Sequence, residues 1–265
     1  MSEMTCGAGD LIKGGSVVIS AGAGGAGRVI AREFAARGAK VAICDVDSAA
    51  VAAFNDEYPD IVSVVTDAGS EQAVDEFFDL VERRNGAVSV VINNVGIAGP
   101  TAPVEQLTLE DWEQSIRTNL TSHFLFARRA VPSMKARGAG LIINVSSGSA
   151  KTGLPLRLPY VVTKSAVISM AMNMARELGP HGIRVNAILP GAIRGERIEK
   201  VIAVKAAALG VAVEDYQKTL LRYVSLRTMV EPEDIAAMAL FLASGAGAKI
   251  TGQTIGVDGN IEYEE

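Results

Sequence analysis

Seven short runs rich in β-branched residues recur along the chain: Ser16–Ser20, Ala39–Cys44, Ile61–Thr66, Val88–Asn93, Leu141–Val145, Ile183–Leu189 and Thr254–Asp258. None alternates cleanly between apolar and polar positions. Each therefore reads as a strand covered on both faces, the pattern of a parallel sheet flanked by helices. Between these runs, apolar residues recur at helical spacing. Gly27–Arg37 carries Val29, Ile30 and Phe34 on one side and stops at Gly38. Glu71–Arg84 lines up Val74, Phe77, Phe78 and Val81. Pro232 opens a later helix, with Glu233 and Asp234 in its first turn, where carboxylates meet the positive end of the helix dipole. Strand–helix alternation predicts right-handed crossovers and a doubly wound α/β sheet of about seven parallel strands with helices on both faces.

The segment Arg194–Thr228 breaks this rhythm with two helical patterns, Arg197–Leu209 and Val213–Val224. An insertion at the carboxyl end of a strand either covers a site or serves packing and assembly, and the sequence leaves both open. No Pro/Ser-rich or charged linker interrupts the chain, so residues 1–265 read as one domain with a capping insertion at about 194–228.

Composition narrows the picture. Hydrophobic residues make up 49% of the 265 and aromatics only 5%, so the core must be built from Val, Ile, Leu and Ala. The net charge of −5 argues against nucleic acid as a partner, since phosphate binding needs a basic surface. Two cysteines, Cys6 and Cys44, make no disulfide framework and fit a reducing cytoplasm. The first residues lack the apolar stretch of a signal peptide, and no uncharged apolar run reaches the roughly 18 residues of a membrane helix. No cluster of Cys, His and carboxylates suggests a metal. His123 reads as a packed or interface residue, His181 as a helix-end residue and Trp112 as a helix anchor.

The chemistry begins after the first strand, which runs into Gly22, Gly24, Gly25 and Gly27 and then a helix. Glycines there let the backbone approach a pyrophosphate, and the helix N-terminus supplies N–H donors and positive potential. The loop residues Ser20, Gly22, Gly25, Ala26 and Gly27 are the expected cradle of a dinucleotide on a Rossmann-like fold. The second strand leads to Asp45 and Val46. A carboxylate at that point accepts from both hydroxyls of the adenosine ribose and repels a 2′-phosphate, which selects NAD over NADP.

The sharpest pattern is Tyr160-Val-Val-Thr-Lys164. One helical turn apart, the two side chains share a face. A free tyrosine, with its pKa of about 10, is a poor base at neutral pH. A neighbouring ammonium favours the phenolate and makes Tyr160 a usable general acid/base. Alone this spacing would mean a surface helix. Ser147, at the end of the upstream strand LIINVSS, adds a hydroxyl where an α/β sheet places substrate contacts.

Taken in order, the glycine loop at Ser16–Arg37, Asn93-Asn94-Val95-Gly96, Asn119 in TNLTSHF, Ser146-Ser147, Tyr160…Lys164 and Pro190-Gly191 resemble the short-chain dehydrogenases/reductases, in the small single-domain subgroup, over nearly the whole chain. The resemblance implies an NAD-dependent oxidoreductase moving a hydride between nicotinamide and a secondary alcohol or ketone. It implies Tyr160 as the proton donor or acceptor and Ser147 as the group orienting the substrate oxygen. Lys164 would bind the nicotinamide ribose, and Asn119 would hold a water in a proton relay. Asp67 and Ala68 would touch the adenine; Asn93, Asn94 and Gly96 would line the cofactor, with Pro190, Gly191 and Ile193 beside the nicotinamide. A homo-oligomer, tetramer or dimer, is implied too. Three departures stand out: Ser20-Ala21 replaces the family's Thr–Gly, Val95 replaces an Ala, and Gly195 stands near the position of a Thr that contacts the carboxamide.

Two rival readings are an NAD(H)-sensing binding protein on the same fold and a Rossmann-like methyltransferase. The first need not keep Tyr160, Lys164, Ser147 and Asn119 together, and the second explains only the glycine loop and Asp45. For the substrate, Lys151, Arg157, Arg194 and Arg197 are candidates to hold a carboxylate, sulfonate or phosphate, against the ordinary reading of solvated surface residues.

Overall fold

The computed structural model describes residues 10–261, and the side chains at 197, 204, 205 and 208 also lie outside the described residues. All seven strand patterns form strands: β1 (Ser16–Ser20), β2 (Lys40–Asp45), β3 (Val62–Val65), β4 (Val88–Asn93), β5 (Gly140–Val145), β6 (Ile183–Pro190) and β7 (Thr254–Val257). The helices among the described residues are α1 (Gly25–Ala35), α2 (Ser48–Glu57), α3 (Glu71–Asn85), α4 (Leu109–Ile116), α5 (Ser122–Arg137), α6 (Ser149–Thr152), α7 (Leu158–Leu178), α8 (Glu196–Leu209), α9 (Val213–Leu221) and α10 (Pro232–Ala243). The strands pair in parallel throughout, in the order β3-β2-β1-β4-β5-β6-β7.

Successive side chains on a strand point to opposite faces, so the sheet feeds two cores. Val17, Ile19, Ile43, Val90, Ile92 and Ile143 pack with Ile30 and Phe34 of α1 and Ile235 and Leu242 of α10. Val18, Ala42, Val91, Ile142 and Val185 pack with Phe77 and Phe78 of α3, Phe126 and Met134 of α5 and Ala171 of α7. Three of the few aromatics, Phe77, Phe78 and Phe126, gather in this second core with ring centroids 5.4 to 6.1 Å apart. Each buried Phe contributes about 1.5–3 kcal/mol. Coverage on both faces holds for β1, β4 and β5, whose residues are all buried, and fails at the two sheet edges. There β3 and β7 are half-buried and Val65 is 53% exposed, because an edge strand has a neighbour on one side only.

Helix starts follow local chemistry. The Asp47 carboxylate accepts from the Ala49 and Ala50 nitrogens at 3.0 Å, capping α2. Thr108 and Asp111 form a capping box on α4. Pro232 takes the first position of α10, as its fixed φ favours. Arg117–Thr121, between α4 and α5, winds as a π-helical turn. No helix of the described residues is long and apolar enough to cross a membrane. Among those residues no group of three or more His, Cys, Asp or Glu is placed to hold a metal ion. Cys44 is buried and free, with burial pushing its thiol well above the usual range; Cys6 lies outside the described residues.

The chain order reverses between β1 and β4, with β2 and β3 on one side and β5 to β7 on the other. At such a switch point the loops leaving the strand ends part and open a crevice at their carboxyl ends.

Candidate active site

The glycine loop sits at this crevice. A methyl on Gly22 would stand 2.5 Å from Ile43 Cβ, and one on Gly27 would stand 2.1 Å from the Ala21 carbonyl oxygen, so both glycines are required by close approach. Gly24 and Gly25 are different: both are exposed and face open space, and Gly25 has φ +50. Gly24 precedes α1, and no side chain caps this helix. Its first N–H groups are thus left without a side-chain partner beside open space, the arrangement a pyrophosphate fits. At the end of β2, Asp45 Oδ2 accepts from the Ala23 nitrogen at 3.3 Å, which puts the carboxylate beside the loop. Val46 follows it and is exposed. Asp67 accepts from Gly69 N at 2.9 Å and pairs with Arg117 at 3.1 Å, and Ala68 beside it is buried. Ser20 is fully buried and its Oγ accepts from the Asn94 and Val95 nitrogens at 3.1 and 3.2 Å, tying the β1 loop to the β4 loop. Asn94 returns the tie through Nδ2, which donates to the Ala21 carbonyl at 3.0 Å. Asn93 points into the protein instead and donates to Asn144 Oδ1 at 2.8 Å.

The loop leaving β4 also meets Asn119 and Lys164. Asn119, on the π turn, is fully buried; its Oδ1 accepts from Ile97 N at 2.7 Å, and its Nδ2 donates to Ile97 O at 3.0 Å and Thr163 Oγ1 at 3.1 Å. Lys164, one turn after Tyr160 on α7, is 3% exposed, and its Nζ donates to the Val145 carbonyl at 2.8 Å, at the end of β5. Ser146 Oγ donates to the Lys164 carbonyl at 2.7 Å, which locks α7 against that strand end. Ser147 follows directly, half-buried, with its Oγ 2.9 Å from Ser149 Oγ. Tyr160 lies half-buried in the first turn of α7. Gly191 N donates to Val257 O at 3.0 Å, which sets the Pro190-Gly191 loop at the same end of the sheet, and Ile193 continues it by a bridge to Val230.

Of the four basic candidates, two have partners within the protein and a third is exposed. Arg194 pairs with Glu231 at 2.7 Å, and Arg157 donates to the Ala98 carbonyl at 2.8 Å. Lys151 is exposed on α6, and the Arg197 side chain lies outside the described residues. A groove of about 810 Å³ lined in part by Met229, Met238, Phe241 and Asp258 contains none of Asn119, Ser147, Tyr160 and Lys164.

Sequence reasoning gave no individual role at the site to three supporting residues, although it read His123 as packed or at an interface, and it is packed. Thr163, inside the Tyr160–Lys164 motif, donates to Pro159 O at 2.8 Å and accepts from Asn119. Ser146 precedes the serine that was singled out. His123, one turn after Asn119, is fully buried behind Val95, whose carbonyl accepts from Nε2 at 3.3 Å. Burial first, and the Lys164 charge second, push its pKa down to about 3, so the ring is neutral.

Comparison with known proteins identifies the family and agrees with the fold. The family model described as enoyl-(acyl carrier protein) reductase matches residues 21–260. A 7alpha-hydroxysteroid dehydrogenase of Escherichia coli K12 is 31% identical over 250 residues, covering 92% of this chain and 93% of the relative. An uncharacterized oxidoreductase of Thermotoga maritima is 31% identical over 255 residues, covering 92% of this chain and 96% of the relative. Among solved structures, NAD+-bound xylitol dehydrogenase superposes with a TM-score of 0.86 at 25% identity, covering 94% of this chain and 99% of that one. Levodione reductase superposes with a TM-score of 0.85 at 28% identity, covering 94% and 97%. The chain is an oxidoreductase of the short-chain dehydrogenase/reductase family.

Proposed function

We propose that this protein is an NAD-dependent dehydrogenase/reductase of a neutral secondary alcohol or its ketone, with Tyr160 exchanging a proton with the substrate oxygen. The observation that carries the reading is the buried Lys164 ammonium, held at the end of β5 beside Gly96 and Asn119 and one helical turn from Tyr160. An ammonium kept out of water acts strongly on a nearby charge. Ser147 orients the substrate oxygen, and Lys164 holds the nicotinamide ribose. When bound, NAD supplies the hydride acceptor. Asn119 has both side-chain atoms engaged, so a relay water would rest on its main-chain carbonyl, and a π turn disturbs the regular pairing of helix carbonyls. Asp45 beside the uncapped α1 N-terminus supports NAD over NADP.

The pairing of Arg194 with Glu231 and of Arg157 with Ala98 supports a neutral substrate over an anionic one. Levodione and xylitol, named for two solved structural neighbours, carry no ionised group. Residues 194–228 are proposed as a cap over the substrate. Exposed Phe124 on α5 and Val162 and Met172 on α7 support association into a homo-oligomer, tetramer or dimer, and the buried free thiol of Cys44 suits the reducing cytoplasm proposed as its location.

The test is Tyr160→Phe, assayed for NAD binding and for NADH formation with a panel of secondary alcohols. NAD affinity should stay and turnover should fall by about 10²–10⁴-fold. A variant retaining most of its rate would place the proton transfer elsewhere, and NAD binding without turnover in the unaltered protein would favour a sensor.

A further inference from the structure

We infer that Arg157 is a positioning residue for Tyr160, its guanidinium held over the phenol ring and favouring its phenolate form, an inference that rests on the proton-transfer role of Tyr160 proposed above. The Arg157 guanidinium lies 5.4 Å from the centroid of the Tyr160 ring. A planar cation over a ring face is attracted by the ring's electron density, and arginine adds stacking that lysine cannot. That density rises when the phenol loses its proton, so the cation stabilises the phenolate more than the phenol.

The arginine is held in place from outside its own helix. Its Nη2 donates to the Ala98 carbonyl at 2.8 Å, on the loop leaving β4. A second bond runs alongside, from Ala102 N to Leu156 O at 3.0 Å. Leu156 has φ +66, a left-handed conformation that a leucine keeps only when its surroundings enforce it. These two bonds staple the loop that carries Gly96 and engages Asn119 to the start of the helix that carries Tyr160. Arg157 thus links the ring to the same loop that packs against Lys164.

The other charged groups on the elements packed against α7 are engaged or exposed. Lys151 of α6 and Glu110 and Glu113 of α4 are exposed, and Asp111 is the capping partner of Thr108. Arg117 on the π turn pairs with Asp67, and Arg184 of β6 donates to the Gly247 carbonyl at 2.9 Å. Lys164 and Arg157 are the two cations that one helix face and its cap bring to Tyr160.

Three variants separate charge from stapling. Arg157→Gln keeps a donor for Ala98 and loses the charge; Arg157→Lys keeps the charge and loses the plane; Arg157→Met keeps only the apolar stem. Two readouts are taken on each: the near-ultraviolet phenolate titration of Tyr160 in the cofactor-free protein, obtained by subtracting the same titration of Tyr160→Phe, and the pH–rate profile of alcohol oxidation. Arg157→Gln and Arg157→Met should move both midpoints up by about half to one pH unit and lower kcat at neutral pH by about three- to tenfold, with NAD affinity unchanged. Arg157→Lys should recover most of the midpoint shift. Midpoints of the Gln variant that coincide with the unaltered protein overturn the inference, as does a Lys variant shifted as far as Gln. If Arg157→Met does not fold, the Gln and Lys pair carries the same decision. Full turnover in Tyr160→Phe would instead remove the proton-transfer reading, whatever Arg157 does.

Discussion

A methyl group placed on Gly96 would stand 2.9 Å from Lys164 Nζ and 3.5 Å from Asn119 Oδ1. The missing side chain at 96 is therefore what lets the ammonium reach its position. Gly96→Ala should displace Lys164 by a few tenths of an ångström or more. A misplacement of 1 Å at a reacting centre costs up to about a hundredfold, so kcat should fall by about ten- to a hundredfold while the melting temperature changes little. A normal kcat in this variant would show that the placement of Lys164 is not critical.

Asp45 should decide the cofactor. Its carboxylate lies at the glycine loop, and Arg28, which follows the last glycine, is engaged by Glu57 and lies 5.5 and 5.7 Å from the Phe54 and Tyr58 ring centroids. No basic group is thereby offered to a 2′-phosphate from that side chain. A like-charge contact costs several kcal/mol, so kcat/KM for NAD should exceed that for NADP by at least about a hundredfold. Asp45→Ala should narrow the ratio mainly by improving NADP. Equal efficiencies in the unaltered enzyme would refute the assignment.

The pair α8 and α9 should respond to ligand. Each finds its main packing partner in the other, and Gly195 and Gly210 carry φ +147 and +68 at their ends. Val201, Leu209, Val211 and Val213 are exposed apolar residues in this segment. Closure over a substrate would exclude water from the hydride path. Limited proteolysis between 194 and 228 should slow when NAD and a product ketone are both present, and NAD alone should protect less. Unchanged cleavage would favour a purely structural role for the segment.

His123 should make stability pH-dependent. The unfolded chain binds a proton on this residue near pH 6.5, whereas the folded protein resists it down to about 3. Between those values the unfolded state holds more protons. Its contribution to stability is therefore complete above about 6.5 and declines as pH falls, by at most about 1.4 kcal/mol per pH unit. His123→Gln retains a donor for the Val95 carbonyl and lacks the titration. Urea midpoints at pH 7 and pH 5 should differ less in the variant than in the unaltered protein. Equal differences would mean that the histidine is not held neutral.

Much of this molecule is legible in its sequence because the signals are local. Buried β-branched runs mark β1 and β4 to the residue, since a strand covered on both faces tolerates almost nothing else there. Glycines mark the crevice loop, because no other residue survives contact at Gly22 and Gly27. Tyr160 and Lys164 share a face by helical spacing alone. What the sequence could not determine arises between segments distant along the chain. The helix α1 begins at Gly25 rather than Gly27, as glycines leave no side-chain periodicity to read. The pattern from Leu109 to Arg137 contains no mark of the π turn at Arg117–Thr121, because that turn accompanies bonds from Asn119 to Ile97 and Thr163 that form only after folding. Arg157 and Arg194 stand in the sequence either as candidate anion ligands or as solvated surface residues, and only the tertiary structure supplies the Ala98 carbonyl and Glu231 that engage them. Residue type and spacing thus determine the sheet and the pairing of Tyr160 with Lys164 on one helix face, while charge partners and loop ties, set by contacts between distant segments, are decided by the packed fold.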